Sequence, residues 1–332
     1  MEVSDRSLSL SVIIPTHNRP AAVKKTIEHL QSQSLDPAEF EIIVVDDGSA
    51  VPVVLPQAPS AGPAIRLIRF ENNQERSVAR NSGVELATGI VVVFSDDDLI
   101  AEPDLLERHL AVHEAHEGLL VVGKIMLPLD RLHEPGVRYR QKLERTGIPP
   151  KSGLVSQPNF ATAANMSIQR DSYLSLGGFD PSMVGTEDQD FAMRHSMRGG
   201  KIYYLAEAAA VHADEWLDFE SFCRRQERGA SWTVALSRRY PTIAASIERE
   251  KVNGPVNMRA DGPARAAKKV AKSWLSGTVG TAVLSRTIDL LERTWPESRV
   301  LEWLYGFKLG VHLQRGYRSG LRTEANKSRD KS

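Results

Sequence analysis

The stretch VVVFSDDDLI, residues 91–100, puts three consecutive carboxylates one serine after a run of apolar residues. Such a run is typical of a buried strand. Neighbouring carboxylates repel one another and are costly to remove from water, so they need a compensating charge. A divalent cation supplies that charge, because Mg²⁺ and Mn²⁺ prefer hard oxygen ligands. The stretch therefore predicts a strand that delivers Asp96, Asp97 and Asp98 to a metal site.

Strand and helix patterns alternate over the first hundred residues. In chain order, the pattern predicts strands at 8–15, 40–49, 64–70 and 90–94, and helices at 20–33 and 75–89. The continuous apolar runs favour strands that are buried on both faces. The sequence therefore predicts an α/β fold with a mostly parallel sheet that is covered by helices on both faces.

Polar segments follow three of these strands, where a parallel sheet binds its ligands. PTHNR (15–19) follows the first strand, DDGS (46–49) the second and SDDD (95–98) the fourth. One acidic loop could be a solvated turn or a helix cap, but two acidic strand ends on the same rim favour a binding site.

Signatures of competing nucleotide-binding folds are missing from the sequence. It contains no G-x-G-x-x-G after the first strand and no G-x-x-x-x-G-K-[ST] at any position. A dehydrogenase and a P-loop enzyme are therefore disfavoured. A phosphatase with an aspartate nucleophile fits less well, because these acids follow the fourth strand.

The second half of the chain adds two candidate polar groups. A helix predicted at 187–198 carries Glu187, Asp188 and Asp190 in or just before its first turn, where the helix dipole alone stabilises acids. The segment KIYYLAEAAAVHA (201–213) is a strand pattern that runs into His212. A lone histidine is usually packed or on the surface, but at a strand end beyond an acidic motif it is a candidate metal ligand.

Composition indicates a folded protein with two differently charged parts. Of the 332 residues 41% are hydrophobic, and Cys223 is the only cysteine, which excludes an internal disulfide and suits a reducing compartment. Residues 216–332 contain 22 Lys and Arg against 12 Asp and Glu, whereas residues 1–215 contain 20 against 30. The sequence shows no N-terminal signal pattern and no apolar run of spanning length, so a cytoplasmic protein is expected.

The basic C-terminal part predicts helices at 216–250 and 265–320. Lysines and arginines flank the apolar positions, which recur near helical spacing: Val270, Trp274, Leu275, Val279, Leu284, Ile288 and Leu291. The basic flanks are Lys268, Lys269, Lys272, Arg286 and Arg293. Such helices could lie on an anionic membrane surface or pack on the catalytic domain, and both readings stay open.

The sequence resembles family 2 glycosyltransferases of the GT-A fold. Matching blocks occur in the family's order over roughly residues 9–216: SVIIPTHNR, IIVVDDGS, SVARNSG, FSDDDLI, AANMSIQR, GGFD, TEDQDFAMR and AVHADEW. The Q-x-x-R-W motif of processive synthases is absent, since RRQERGASW (224–232) has the wrong spacing. The resemblance implies a non-processive, hexosyltransferase-type enzyme with a GT-A catalytic domain at 1–215 and a basic helical region at 216–332. Within the catalytic domain, 1–100 would bind the nucleotide sugar and 101–215 the acceptor.

The resemblance also implies a role for each matching residue. Asp188 aligns with the catalytic base. Nucleotide binding is assigned to Pro15, Thr16, Asp46, Asp47, Arg80 and Asp96, with Arg76 as a further candidate. Metal binding is assigned to Asp98, Asp96 and His212, with Asp98 favoured as the direct ligand and Asp96 favoured for the ribose side. The donor sugar or acceptor is assigned to Asn165, Gly178 and Glu187, although a tight turn alone would explain Gly178.

These roles imply an inverting transfer from a nucleotide sugar to an acceptor hydroxyl, with Mn²⁺ or Mg²⁺ as cofactor. The expected partners are a donor, most simply a UDP-sugar, and a glycan or lipid-linked acceptor in glycan, polysaccharide or glycolipid synthesis. No nucleic acid is expected, and a cytoplasmic location extends to peripheral membrane contact. The alternative is a GT-A domain that binds nucleotide or glycan as a scaffold without turnover.

Overall fold

A computed structural model describes residues 8–56, 61–146, 148–156, 161–213, 218–242, 244–257 and 259–329. The chain divides into two compact units. The first contains residues Met1–Pro128 and Ile148–Asp214, and the second contains Leu129–Gly147 and Glu215–Ser332. Residues 129–147 thus belong to the same unit as the C-terminal helices. The sequence predicted a single division after residue 215 and placed this segment in the catalytic domain.

The first unit holds one sheet and the helices that cover it. Its strands are β1 (Leu10–Thr16), β2 (Phe40–Asp46), β3 (Ala64–Arg69), β4 (Val91–Ser95), β5 (Leu99–Ala101), β6 (Leu119–Met126), β7 (Gly153–Val155), β8 (Asn165–Gln169) and β9 (Lys201–His212). Its helices are α1 (Pro20–Leu30), α2 (Glu75–Leu86), α3 (Leu105–Ala115), α5 (Arg170–Ser175) and α6 (Glu187–Met197).

The sheet has the strand order β3-β2-β1-β4-β8-β6-β9-β5, and β7 pairs with β9. Strands β1 to β4 pair in parallel, which confirms the prediction for the first hundred residues. Beyond β4 the sheet is mixed, because β8 runs antiparallel to both β4 and β6 while β6 and β9 are parallel. The predicted mostly parallel sheet therefore describes one half of the observed α/β fold.

Alternation along the central strands fills two cores, one on each face of the sheet. Ile42 and Val44 of β2 face a core that includes Ile27 of α1, whereas Ile43 and Val45 face a core that includes Val84 of α2. Successive strand residues point to opposite faces, so a continuous apolar strand requires cover on both sides. The predicted two-sided cover is confirmed.

Strand register brings the candidate residues to one edge of the sheet. Thr16, the last residue of β1, lies beside Asp46, the last residue of β2. On the other side of β1, Ile13 pairs with Phe94, one residue before the end of β4. The polar segments after β1, β2 and β4 consequently meet at the carboxyl edge of the parallel strands.

The second unit is helical, as predicted for the C-terminal part. Its helices are α4 (Pro135–Glu144), α7 (Phe219–Arg239), α8 (Ala244–Asn253), α9 (Pro263–Trp274), α10 (Thr278–Thr294) and α11 (Arg299–Arg329). Tyr305 of α11 packs in the core of this unit, with ring centroids 4.5 Å from Phe219 and 5.1 Å from Tyr139 of α4. Among the described residues, no helix combines the length and apolarity needed to cross a membrane.

Candidate active site

The three consecutive aspartates have three different sets of partners. Asp97 accepts a hydrogen bond from the Thr16 hydroxyl at 2.6 Å and an ion-paired one from Arg19 at 2.9 Å. Asp98 accepts from the other terminal nitrogen of Arg19 at 2.7 Å. Asp96 instead accepts from Arg80 at 2.8 Å. Asp97 therefore ties β4 to the end of β1, and the flanking aspartates face other groups.

Asp96, Asp98 and His212 form a cluster of candidate metal ligands. One ligand atom of each residue lies within 4.8 Å of the others. His212 Nε2 is 3.5 Å from Asp98 Oδ1, a buried oxygen that has no hydrogen-bond partner within the described part of the chain. Two carboxylates and an imidazole suit Mn²⁺ or Mg²⁺, and the unpartnered oxygen gives a cation a reason to bind there. These residues fit the implied metal.

His212 reaches this cluster because β9 ends beside β5. The two strands are antiparallel, and Leu99 pairs with His212 directly after the aspartate triplet. The backbone N–H of Ala213 donates to the carbonyl of Asp98 at 2.8 Å, which fixes the two segments together. Residues more than a hundred positions apart in sequence are thus held next to each other by strand pairing.

Burial and local charges separate the pKa values of neighbouring aspartates. Burial raises the pKa of Asp97 to about 6, with the charges of Asp98 and Asp96 adding to the rise and Arg19 and Thr16 opposing it. Burial acts in the same direction on Asp96, but the charges of Arg80, Arg76 and His212 and the hydrogen bond from Arg80 together outweigh it and lower the pKa of that carboxyl. Asp96 is therefore the more firmly ionised of the two.

Arg80 links the aspartate triplet to the start of α6. Its side chain is only 2% exposed, and its two terminal nitrogens donate to Asp96 at 2.8 Å and to Glu187 at 2.9 Å. Both of these nitrogens already contact carboxylates. The predicted contact of Arg80 with the nucleotide stays a prediction. Arg76, one turn earlier on α2, is exposed.

Asp188 occupies the first turn of α6, as its acidic sequence suggests. Its carboxylate accepts the N–H of Gln189 at 2.7 Å and that of Ala163 at 3.4 Å. Burial, followed by the charge of Glu187, raises the pKa of Asp188 to about 7. The predicted coupling to Glu187 has a structural basis, although Glu187 itself is held by Arg80. A carboxyl with this pKa can exchange a proton near neutral pH.

The acids that follow β2 have different surroundings. Asp46 is fully buried, and its oxygens accept from the N–H groups of Ser49 and Val53 and from Arg69. These contacts hold the loop after β2 in place, and the nucleotide-binding role assigned to Asp46 stays a prediction. Asp47 accepts the N–H of Gln74 at 2.6 Å through Oδ1. Pro15 and Thr16 lie at the end of β1, where the Thr16 hydroxyl already donates to Asp97.

Two residues assigned to the sugar-binding floor have structural partners. Asn165 is 1% exposed; its amide nitrogen donates to the carbonyls of Lys124 and Ala208, and its oxygen bonds His109 Nε2 at 2.9 Å. Its side-chain amide is therefore engaged inside the sheet, and the sugar-binding role assigned to Asn165 stays a prediction. Gly178 has a φ of +66°, and a Cβ there would lie 2.7 Å from Asn81 Oδ1. The tight-turn explanation thus accounts for Gly178.

Sequence reasoning assigned no role to Arg19 and none to Asp97 beyond its place in the acidic triplet, whereas the structure pairs the two beside the candidate metal ligands. Arg19 holds both Asp97 and Asp98, and the only available signal was its position shortly after β1. A buried histidine network was also missed. His109 and His113 of α3 both bond the Ser167 hydroxyl, at 2.7 Å and 2.8 Å, and support Asn165 from behind.

The position of Arg80 predicts that Arg80→Ala lowers the free energy of unfolding by about 3–5 kcal/mol, because it leaves two carboxylates without their buried partner. Urea denaturation followed by circular dichroism measures the change. Tryptophan fluorescence would not, since all five tryptophans fall in the second unit. Arg76→Ala removes an exposed arginine from the same helix and is expected to cost less than about 0.5 kcal/mol. Equal stabilities of the two variants would contradict the structural role.

Comparison with known proteins identifies the family. A model of glycosyl transferase family 2 matches residues 11–173. The amylovoran biosynthesis glycosyltransferase AmsB of Erwinia amylovora is 35% identical over 214 residues, which cover 62% of this chain and 69% of that protein. The chain belongs to glycosyltransferase family 2. An uncharacterized glycosyltransferase of Haemophilus influenzae is 29% identical over 185 residues, and the match spans 56% of this family 2 chain and 61% of that relative.

Solved structures confirm the fold of this family 2 chain. The mannosyltransferase PcManGT from Pyrobaculum calidifontis, determined in complex with GDP-Man and Mn²⁺, superposes with a TM-score of 0.58 at 18% identity. The alignment covers 92% of this chain and 86% of that one. The likeness establishes a GT-A glycosyltransferase fold, in agreement with the sequence resemblance.

Proposed function

We propose that the chain is a metal-dependent, inverting glycosyltransferase that moves a sugar from a nucleotide-sugar donor to an acceptor hydroxyl. The observation that carries the proposal is the cluster of Asp96, Asp98 and His212, linked through Arg80 to the helix that bears Asp188. A base that titrates near neutral pH and a divalent-cation site are the two groups that this reaction needs.

The divalent cation, held by Asp98, Asp96 and His212, would supply neutralisation of the charge on the leaving diphosphate. Asp188 accepts the proton of the acceptor hydroxyl as that oxygen attacks the anomeric carbon. The new bond to the acceptor oxygen forms while the bond to the diphosphate oxygen breaks, and the electron pair leaves with the nucleoside diphosphate. Attack from the face opposite the leaving group inverts the anomeric configuration.

Arg19 and Arg80 complete the electrostatic frame of the site. Arg19 pairs with Asp97 and Asp98, and Arg80 with Asp96 and Glu187, so two positive charges are shared among four carboxylates before any cation binds. This pairing offsets the repulsion among the acids and keeps them in position. Arg19, half-buried at the edge of the cluster, is the nearer of the two to solvent and is suited to contact the donor diphosphate.

The proposal extends to partners. The donor would be a UDP-sugar and the acceptor a glycan or lipid-linked sugar, in the synthesis of a polysaccharide, glycan or glycolipid. The polysaccharide assignment is supported by the name of the related amylovoran biosynthesis enzyme. The structural relative from Pyrobaculum carries GDP-Man and Mn²⁺, so guanosine donors belong in the same screen. The proposed location is the cytoplasm, with peripheral contact to the membrane.

The deciding experiment measures nucleoside diphosphate release by the purified chain across UDP- and GDP-sugars, with Mn²⁺, Mg²⁺ or EDTA. We expect release from one donor that requires the cation and increases with a suitable acceptor, and product NMR should show the inverted anomer. Donor binding without release under any of these conditions would instead favour the scaffold alternative. A product that retains the anomeric configuration would contradict a single-step displacement in which Asp188 is the base.

A further inference from the structure

Helix α9 buries charged residues and exposes apolar ones. Lys269 and Lys272 are 3% and 5% exposed, whereas Val270 and Trp274 are 55% and 86% exposed. A surface helix whose outer face borders water has the opposite arrangement, since lysine is almost never fully buried and large apolar side chains turn toward the core. The residues on the outer face of α9 therefore favour contact with an apolar environment rather than with water.

Specific contacts fix α9 in this orientation. The ammonium of Lys269 donates to Asp261 at 2.8 Å and to the carbonyl of Pro255 at 3.1 Å. Lys272 packs on Gly310, where an added Cβ would lie 2.7 Å from Lys272 Cε. Burial, with the neighbouring positive charges of Lys268 and Lys269, lowers the pKa of Lys272. The inward lysines thus have partners or a fitted space, and they leave the apolar residues outside.

Helix α10 also has an exposed apolar face. Its outward stripe follows the spacing of three and four residues that places side chains on one face of a helix: Val279, Val283, Arg286, Leu290 and Arg293. The opposite face carries Leu284 and Ile288, which are buried in the core of the second unit. The sequence prediction had joined residues of both faces into one apolar line, and the structure separates them.

Exposed aromatic residues occur after α10 as well. Trp295 follows α10 and is 68% exposed, and Trp303 of α11 is 63% exposed and stacks on Phe307 with ring centroids 5.3 Å apart. We call the whole set the apolar surface: Val270, Trp274, Val279, Val283, Leu290, Trp295, Val300 and Trp303. Exposed apolar groups of this number are typical of interaction sites.

The charge that accompanies the apolar surface is positive. Of the acids near it, Glu297 pairs with Arg138 and Glu302 with Lys142, each at 2.9 Å, whereas Asp289 of α10 is exposed beside the stripe. Arg286 and Arg293, by contrast, form no ion pair with any other described residue and lie in the same stripe as the apolar side chains. An occupant of this surface must therefore offer both apolar groups and negative charge.

We propose that the apolar surface docks on an anionic phospholipid bilayer. Tryptophan is enriched at the boundary between headgroups and acyl chains, and arginine beside it can reach lipid phosphates. Helices α9 and α10 would lie in this boundary with Val270, Trp274 and Val279 inserted. Docking would hold the enzyme where a lipid-linked acceptor resides, but it does not depend on the proposed transfer reaction.

The test is co-sedimentation of the full chain with vesicles of phosphatidylcholine alone or mixed with phosphatidylglycerol, at low salt and at about 0.15 M salt. We expect binding to the anionic vesicles, weakened by salt. Val279→Glu should weaken it more than about tenfold by putting a charge into the inserted face. Val54→Glu is the matched control and should leave it unchanged, because Val54 is 79% exposed in the first unit and Val279 is 76% exposed.

A second pair of variants tests the role of charge. Arg286→Glu should weaken binding to anionic vesicles by fivefold or more, whereas Arg322→Glu makes the same change near the other end of α11 and should have a small effect. Absence of binding to anionic vesicles at low salt overturns the proposal. So does light scattering that shows a lipid-free dimer which Val279→Glu dissociates, since a second copy would then occupy the surface. Donor turnover is measured in parallel, so that a failure of membrane binding can be distinguished from a failure of the proposed transfer reaction.

Discussion

The Asp188→Asn variant is expected to bind the donor as tightly as the natural chain and to transfer sugar about 10³-fold more slowly. The amide has nearly the same shape, and its oxygen can still accept the N–H of Gln189. It cannot take a proton from the acceptor hydroxyl, and loss of a general base typically costs about 10²–10⁴ in rate. Calorimetry of donor binding beside turnover at saturating acceptor separates the two effects.

The pH dependence provides a second readout of the same group. With the pKa of Asp188 raised to about 7, the base is protonated below neutral pH, so turnover should fall about tenfold per unit on the acidic side. This limb should disappear in Asp188→Asn. Asp171→Asn is the matched control, because it removes an exposed acid from the first turn of α5. Turnover of Asp188→Asn within a few-fold of the natural chain would show that another group is the base.

Sequence patterns predicted the elements of the site better than the contacts among them. An apolar run followed by polar residues places Asp96 to Asp98 at a strand end, and parallel pairing then brings the ends of β1, β2 and β4 together. The pattern could not predict that the three aspartates have different partners. The pairing depends on Arg19 and Arg80, whose side chains reach the acids only after α1 and α2 have packed on the sheet.

Helical periodicity likewise predicts that a helix has two faces but not which face is buried. The lysines of α9 were predicted as basic flanks, yet Lys269 and Lys272 are buried because Asp261 and Gly310 receive them. The same limit applies to segment 129–147. Its packing with α11 rests on contacts such as Tyr139 with Tyr305, which are separated by more than 160 residues in sequence. Contacts at such separations have no local signal.

Replacement of Asp98 by asparagine is expected to lower turnover at limiting Mn²⁺ by at least about 100-fold. The change removes a negative charge from the cluster with Asp96 and His212, and a neutral amide oxygen is a weaker ligand for a hard cation. It also weakens the ion pair with Arg19, which is 2.7 Å long. Raising the Mn²⁺ concentration should restore part of the rate, because the binding of the cation is what the variant has lost.

Asp97→Asn is the informative comparison, since it removes the adjacent charge but not a member of the cluster. Asp97 bonds Thr16 and Arg19, so this variant should disturb the loop after β1 and weaken donor binding while the Mn²⁺ concentration at half-maximal rate changes little. Titration of each variant with Mn²⁺, followed by both calorimetry and turnover, measures the difference. If Asp98→Asn kept the natural Mn²⁺ dependence, the unpartnered oxygen facing His212 would not be a metal ligand.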